Sequence, residues 1–275
     1  MADWSPTDYL QFTDERSRPF ADLLARVPGA AAAVADVIDL GCGPGHLTRL
    51  LRERWPDADV VGLDSSPAMV ERAVAENTDP RARYELADLR DYARGAASVT
   101  GADVVLSNAT LQWVPDHEAL LVPLVDTARQ TFAFQVPGNH DAPSHRALRA
   151  VAARSPFVDA VGPVPRRGAA DPATYLGLLA RPGWEVDAWE TTYTHVLQGP
   201  DPVLRWISAT GAQPTLHALA AHDGRHGTRL RERFESELGA ALRDAYPTYE
   251  YGTPLEFRRV FMVVTRQGRG PRLPA

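Results

Sequence analysis

The densest chemistry in the sequence lies in seven residues, Asp39-Leu40-Gly41-Cys42-Gly43-Pro44-Gly45. Glycines at alternate positions let a backbone turn sharply and let a ligand approach without a Cβ in the way. A helical pattern follows, and the first N–H groups of a helix have no partner within it. A dinucleotide fingerprint reads G-x-G-x-x-G, but counted from Gly41 its last position here is His46. Pro44 leaves the turn one N–H short. A pyrophosphate needs a run of backbone donors. A phosphate-free nucleoside does not, and a cationic one is better served by carbonyls and a carboxylate such as Asp39.

Further carboxylates recur at strand ends. Asp64 lies 25 positions after Asp39 and closes Val60-Val61-Gly62-Leu63. An acid there can accept from both ribose hydroxyls. Asp88 follows residues 82–87 and is placed for an adenine amino group; Asn108 follows Val104-Val105-Leu106. Turn capping is the competing role for Asp64 and Asp88. S-adenosylmethionine has an amino acid, a sulfonium, a ribose and an adenine, and no phosphate, which matches this set. A nicotinamide oxidoreductase is the competing enzyme class, opposed by His46. A non-enzymatic cofactor-binding regulator is a further alternative.

The elements that must hold these residues alternate. Short apolar runs at 37–40, 60–63, 82–87, 104–106 and 132–136 read as strands, separated by amphipathic segments. That alternation predicts a parallel sheet with helices on both faces. Ser66 with Pro67 predicts a helix start, and Asp116 a helix cap. In the first 28 residues Pro19 is expected to split two short helices. Residues 155–170, rich in Pro, Gly and Arg, read as a mobile loop. Residues 184–197 and 256–266 read as strands, and 201–246 as helical, with Leu230, Phe234, Leu238 and Leu242 four apart.

Composition narrows the classes. The 275 residues are 44% hydrophobic, enough for a folded core. No run approaches the roughly 20 apolar residues of a membrane helix. Met1-Ala2-Asp3-Trp4 opens without a basic, then apolar, leader. Cys42 is the single cysteine, which excludes an internal disulfide framework; a reducing cytoplasm fits, and Cys42 reads as a small turn residue. The net charge of −6 argues against a nucleic-acid surface. There is no lysine, so Schiff-base and phosphate-lysine chemistry is excluded. His217, His222 and His226 lack enough acidic partners for a metal site, and none is expected.

The ordered constellation resembles the class I S-adenosylmethionine-dependent methyltransferases over roughly residues 34–136 plus the final strand. Further motifs carry the likeness outside that core: Trp4-Ser5-Pro6, Tyr9-Leu10-Gln11-Phe12, Asp64-Ser65-Ser66-Pro67, Ser107-Asn108-Ala109-Thr110-Leu111-Gln112-Trp113, Thr191-Thr192-Tyr193-Thr194-His195 and Trp206-Ile207-Ser208-Ala209-Thr210-Gly211. They are similar to the trans-aconitate methyltransferase family. The resemblance implies an α/β, Rossmann-like doubly wound sheet of about seven mostly parallel strands, the last antiparallel, with a helical lid. It divides the chain into an N-terminal helical lid (1–33), a core (34–197 and 255–267), a helical insertion acting as substrate lid (198–254) and a flexible tail (268–275). It also implies S-adenosylmethionine as methyl donor and S-adenosylhomocysteine as product. Asp39, Gly41, Gly43 and Gly45 would form the glycine loop, Asp64 with Ser65 the ribose end, Asp88 with Leu89 the adenine end, and Asn108 the methionine end.

The implied reaction esterifies a carboxylate of a small polycarboxylic acid. Such a carboxylate is ionised at neutral pH and needs no general base, so no catalytic side chain is expected. Alignment and water exclusion would carry the rate. Candidate donors for the non-reacting carboxylates are Arg16, Arg18, Tyr193, His195, Arg205 and Arg258. The alternative within the fold is a carbon, phenol or amine acceptor, which would require a base. His117 is expected at the surface near a helix start.

Overall fold

The computed structural model describes residues 13–29, 33–164 and 168–267. In chain order the elements are α1 (Thr13–Arg26), β1 (Asp36–Leu40), α2 (Thr48–Arg54), β2 (Asp59–Asp64), α3 (Pro67–Glu76), β3 (Ala82–Leu86), α4 (Leu89–Ala93) and β4 (Ala102–Asn108). Then follow α5 (Leu121–Thr127), β5 (Ala128–Pro137), α6 (Pro143–Ala152), α7 (Phe157–Val161), α8 (Pro172–Leu179) and β6 (Trp184–Leu197). The last are α9 (Pro202–Ser208), α10 (Gln213–His226), α11 (Leu230–Ala245) and β7 (Thr253–Arg266).

Seven strands form one sheet in the order β3-β2-β1-β4-β5-β7-β6. β1 to β5 pair in parallel, and β7 pairs antiparallel with β5. The order reverses at β1, between β2 and β4, which is where an open α/β sheet leaves a crevice at its strand ends. Strands buried on both faces read as continuous apolar runs rather than as alternation. β4 is the extreme, with every residue from Ala102 to Asn108 buried.

The chain groups into two compact units. One comprises residues 13–137, 169–191 and 259–267, and the other 138–164, 168 and 192–258. In the first, Ile38, Leu40, Val105, Leu124, Phe132 and Phe134 belong to one buried cluster. In the second, Phe234, Leu238 and Leu242 form the buried stripe of α11, and Phe157 meets Phe234 edge-to-face at 5.2 Å.

Three local expectations are corrected. Pro19 lies inside the continuous helix α1. A mid-helix proline costs about 3 kcal/mol, but Phe20, Leu23, Leu24 and Val27 are all buried along that stripe, and each contributes roughly 1.5–3 kcal/mol. The 155–170 stretch is not all loop: α7 occupies its start, anchored by buried Phe157. Asp116 makes no side-chain cap; it adopts φ 55° ahead of a 3-10 turn, His117–Leu120, that leads into α5. The helix start expected at Ser66-Pro67 is present: Ser66 holds the N-cap position of α3 and Pro67 its first turn, although Ser66 makes no side-chain cap bond and its own N–H turns to Asp64 Oδ1 at 2.8 Å.

Candidate active site

All the proposed cofactor residues lie in the first unit, at the C-terminal ends of β1, β2 and β4 and just beyond β3. Gly41, Gly43 and Gly45 have φ of +77°, +56° and +79°, the left-handed region that glycine enters without penalty. A Cβ on Gly41 would stand 2.1 Å from Thr110 Oγ1, and one on Gly45 2.7 Å from the Tyr84 ring. A Cβ on Gly43 would meet nothing within 4 Å. The outer glycines are therefore demanded by packing, while the middle one faces open space.

The turn spends its N–H groups internally. Gly41 and Cys42 both donate to the Leu63 carbonyl, at 2.7 and 3.1 Å, and Gly45 donates to Cys42 at 3.2 Å. Gly43 donates to Asp64 Oδ2 at 2.9 Å. Pro44 has no N–H to give. A pyrophosphate would find no free donor in this stretch, so the turn is unsuited to a dinucleotide for a reason stronger than the missing glycine at 46.

The surrounding charge is negative. Asp39 is buried, and burial, reinforced by Asp64, pushes its carboxyl up to about 7. Burial also raises Asp64, against the N–H bonds from Ser66, Gly43 and Ser65 that pull it down. Asp64 Oδ1 accepts the Ser66 N–H at 2.8 Å and Oδ2 the Gly43 N–H at 2.9 Å, with the Ser65 N–H also on the carboxylate; a carboxylate has about four acceptor sites, so capacity remains for a ligand donor. The Cys42 thiol is pushed well up by burial and by the two aspartates, which is the reverse of nucleophile activation. Asp88 caps α4, accepting from the Arg90 N–H at 2.7 Å, while its other oxygen lies 3.5 Å from Arg90 Nη1. It thus performs the capping role that competed with adenine binding; Leu89, beside it, is buried.

Asn108 lies one step past the Leu40–Ser107 pair, next to Gly41. Its Oδ1 accepts from Gln135 Nε2 at 2.5 Å, and Gln135 Oε1 accepts from Arg259 Nη1 at 3.3 Å. The sequence reading does not single out Gln135 or Arg259. Their signal is a polar residue inside the apolar run of β5, and Arg259 between Phe257 and Phe261 on one face of β7. A cavity of about 420 Å³ beside the turn, lined by Gly45, Thr48, Arg52, Asn77, Asp79 and Tyr84, does not include the aspartate set, and Arg52 there is tied to Asp79.

The substrate candidates fall in both units. Arg18 is exposed on α1, and the Arg16 side chain lies outside the described residues. In the second unit Tyr193 and His195 are buried together, rings stacked at 6.4 Å, with Trp206 5.0 Å from His195. Arg205 is exposed and donates to the Gln198 carbonyl. Arg258 donates to the Gly138 carbonyl at 3.2 Å. His117 is not at the surface: it is buried, 2.7 Å from the Tyr175 hydroxyl. Among the described residues no cluster of three or more His, Cys, Asp or Glu could hold a metal ion. Nor is any described helix long and apolar enough to cross a membrane.

The chain is similar to known proteins over most of its length. A family described as "Methyltransferase domain" matches residues 37–129. Trans-aconitate 2-methyltransferase of Streptomyces avermitilis is 45% identical over 268 residues, covering 96% of this chain and 97% of the relative. The protein of the same name from Mycobacterium sp. (strain KMS) is 46% identical, covering 96% of this chain and 100% of the relative. Among solved structures, a methyltransferase complexed with the Trm112 activator of Haloferax volcanii has a TM-score of 0.55 at 16% identity, covering 96% and 95% of the two chains. YcgJ of Bacillus subtilis has 0.54 at 14%, covering 92% and 100%. At such identities these two speak for the fold alone.

Proposed function

The chain belongs to the trans-aconitate 2-methyltransferase family, and from that premise we propose that it transfers the methyl group of S-adenosylmethionine to a carboxylate of trans-aconitate or a related small polycarboxylic acid. The observation that carries this reading is the likeness, at 45% identity, along 96% of the chain to a relative of that name. The site supports it chemically. A turn with its N–H groups spent, ringed by Asp39 and Asp64, suits a ligand that is cationic and free of phosphate.

When bound, S-adenosylmethionine supplies a methyl group activated by a sulfonium. Asp39 would provide the negative charge opposite the cationic end. Asp64, with the Ser65 backbone beside it, would accept from the ribose hydroxyls. Asp88, through the acceptor capacity its cap leaves over, and Leu89 would hold the adenine, and Asn108 would border the methionine end. Since an acceptor carboxylate is already ionised at neutral pH, no side chain here needs to remove a proton. The protein's contribution is orientation and exclusion of water, together worth several kcal/mol.

Incubation with S-adenosylmethionine and a panel of polyacids, followed by mass spectrometry, tests this. The expected product is a monomethyl ester, formed best from trans-aconitate. Absence of ester from every polyacid, with the methyl donor shown to bind, would overturn the substrate assignment.

A further inference from the structure

Three side chains cross the sheet from β7 to β4 at the crevice end: Arg259, Gln135 and Asn108, respectively 6%, 1% and 9% exposed. The strand register sets them there, pairing Asn108 with Gln135 and Pro137 with Arg259. Their donor and acceptor chemistry permits only one arrangement. A guanidinium has donors and no acceptor, so Gln135 turns Oε1 to Arg259 and Nε2 away from it. Asn108 must then receive Nε2 with Oδ1. Its amide nitrogen is consequently the group left over, and neither of its hydrogens is bonded among the described residues. It is not sealed from solvent either, unlike the buried polar atoms that lack partners.

A donor at this position is conspicuous, because the neighbouring crevice side chains Asp39 and Asp64 offer acceptors. On the reading of the site given above, we propose that Arg259 is a positioning residue: through Gln135 it fixes Asn108 as a hydrogen-bond donor, and the Asn108 amide grips a ligand carboxylate. Two carboxylates are available to it, that of the methyl donor's amino-acid end and that of the acid substrate.

Gln135→Glu tests the relay at nearly constant shape. The introduced carboxylate would offer only acceptors, keep its contact with Arg259, and oblige Asn108 to turn its nitrogen inward and its carbonyl to the crevice. Binding of S-adenosylhomocysteine, of 5′-methylthioadenosine, which lacks the carboxylate, and of trans-aconitate with S-adenosylhomocysteine bound is measured by calorimetry. We expect a loss of at least about tenfold, the scale of one hydrogen bond to a charged group, for one carboxylate ligand. If S-adenosylhomocysteine weakens and 5′-methylthioadenosine does not, the methyl donor's carboxylate is the one held. If only trans-aconitate weakens, it is the substrate's. Equal binding of all three by variant and parent would overturn the relay, and so would a uniform loss that includes 5′-methylthioadenosine. Arg259→Lys retains a cation that only donates, so it should bind within about threefold of the parent; a loss matching that of Gln135→Glu would also overturn the proposal. A parent chain that binds none of the three would remove the functional reading itself, and this inference with it.

Discussion

Asp64 Oδ2 accepts the backbone N–H of Gly43 at 2.9 Å, so the end of β2 and the glycine turn after β1 form one hydrogen-bonded piece. The same carboxylate holds the Ser66 N–H at 2.8 Å and thereby starts α3. A single side chain therefore shapes two walls of the crevice while presenting its remaining acceptor capacity to a ligand. Replacing it should cost both binding and folding, because the Gly43 and Ser66 N–H groups also lose their partner. Asp64→Ala is expected to weaken S-adenosylhomocysteine by about 30- to 100-fold, the loss of two charge-assisted hydrogen bonds in part recovered by water. Calorimetric titration reads this directly, and an unchanged dissociation constant would contradict the ribose role.

Asp39 makes the site sensitive to pH. Its carboxyl titrates at about 7 because it is buried and lies beside Asp64. The sulfonium of the methyl donor keeps its charge at every pH, so only the protein's side of the pair titrates. Below about pH 7 the counter-charge is lost, and affinity for S-adenosylmethionine should be about tenfold weaker at pH 6 than at pH 8. Asp39→Asn should flatten that profile. The ligand-free protein should show the opposite trend in stability. Its folded form holds this proton to higher pH than the unfolded chain does, so stability falls as pH rises from about 4 to about 7, by no more than about 4 kcal/mol, and is level above. Urea melts of the parent and of Asp39→Asn across that range check the sign.

The three glycines should separate under substitution by alanine. Gly43→Ala meets open space and bears only the left-handed backbone penalty, on the order of 1–2 kcal/mol. It should fold and bind the cofactor poorly. Gly41→Ala carries that penalty and also drives a methyl into Thr110, at 2.1 Å. Its melting temperature should lie clearly below that of Gly43→Ala. Coincident melting curves would show that the turn relaxes freely.

Tyr175 ties α8 to the segment after β4. Its hydroxyl is 2.7 Å from His117 Nε2 and accepts the Ala170 N–H at 3.2 Å. Burial holds the His117 ring below its usual range, so it is neutral at physiological pH and can accept from the tyrosine. Tyr175→Phe leaves two buried polar groups without this partner and should destabilise the fold by about 1–3 kcal/mol. Affinity for S-adenosylhomocysteine should stay within about twofold, since neither residue is among those bordering the crevice. Chemical denaturation paired with titration separates the two effects.

What the sequence reveals about this molecule follows from how local each cause is. The glycine turn and the strand-end aspartates are legible because backbone conformation and chain spacing impose residue types directly. The strands of the parallel sheet are legible because burial on both faces leaves continuous apolar runs. Pro19 misleads because its penalty is local whereas the burial that outweighs it is tertiary. His117 misleads in the same way: its partner Tyr175 is 58 positions distant. The Asn108–Gln135–Arg259 relay links strands 27 and 124 residues apart. Its members look like isolated polar residues until the sheet brings them together. Of the adjacent pair Arg258 and Arg259, the first is a sequence candidate, yet Arg259 is the one on the face that carries Gln135.

The bend at residues 41–45, with its donors already spent, selects a cationic nucleoside and rejects a pyrophosphate. Parallel calorimetric titrations with S-adenosylmethionine and with oxidised nicotinamide adenine dinucleotide measure that preference. Saturable binding of the sulfonium nucleoside, with no heat from the dinucleotide at the same concentrations, is the predicted outcome. Comparable or tighter binding of the dinucleotide would contradict it.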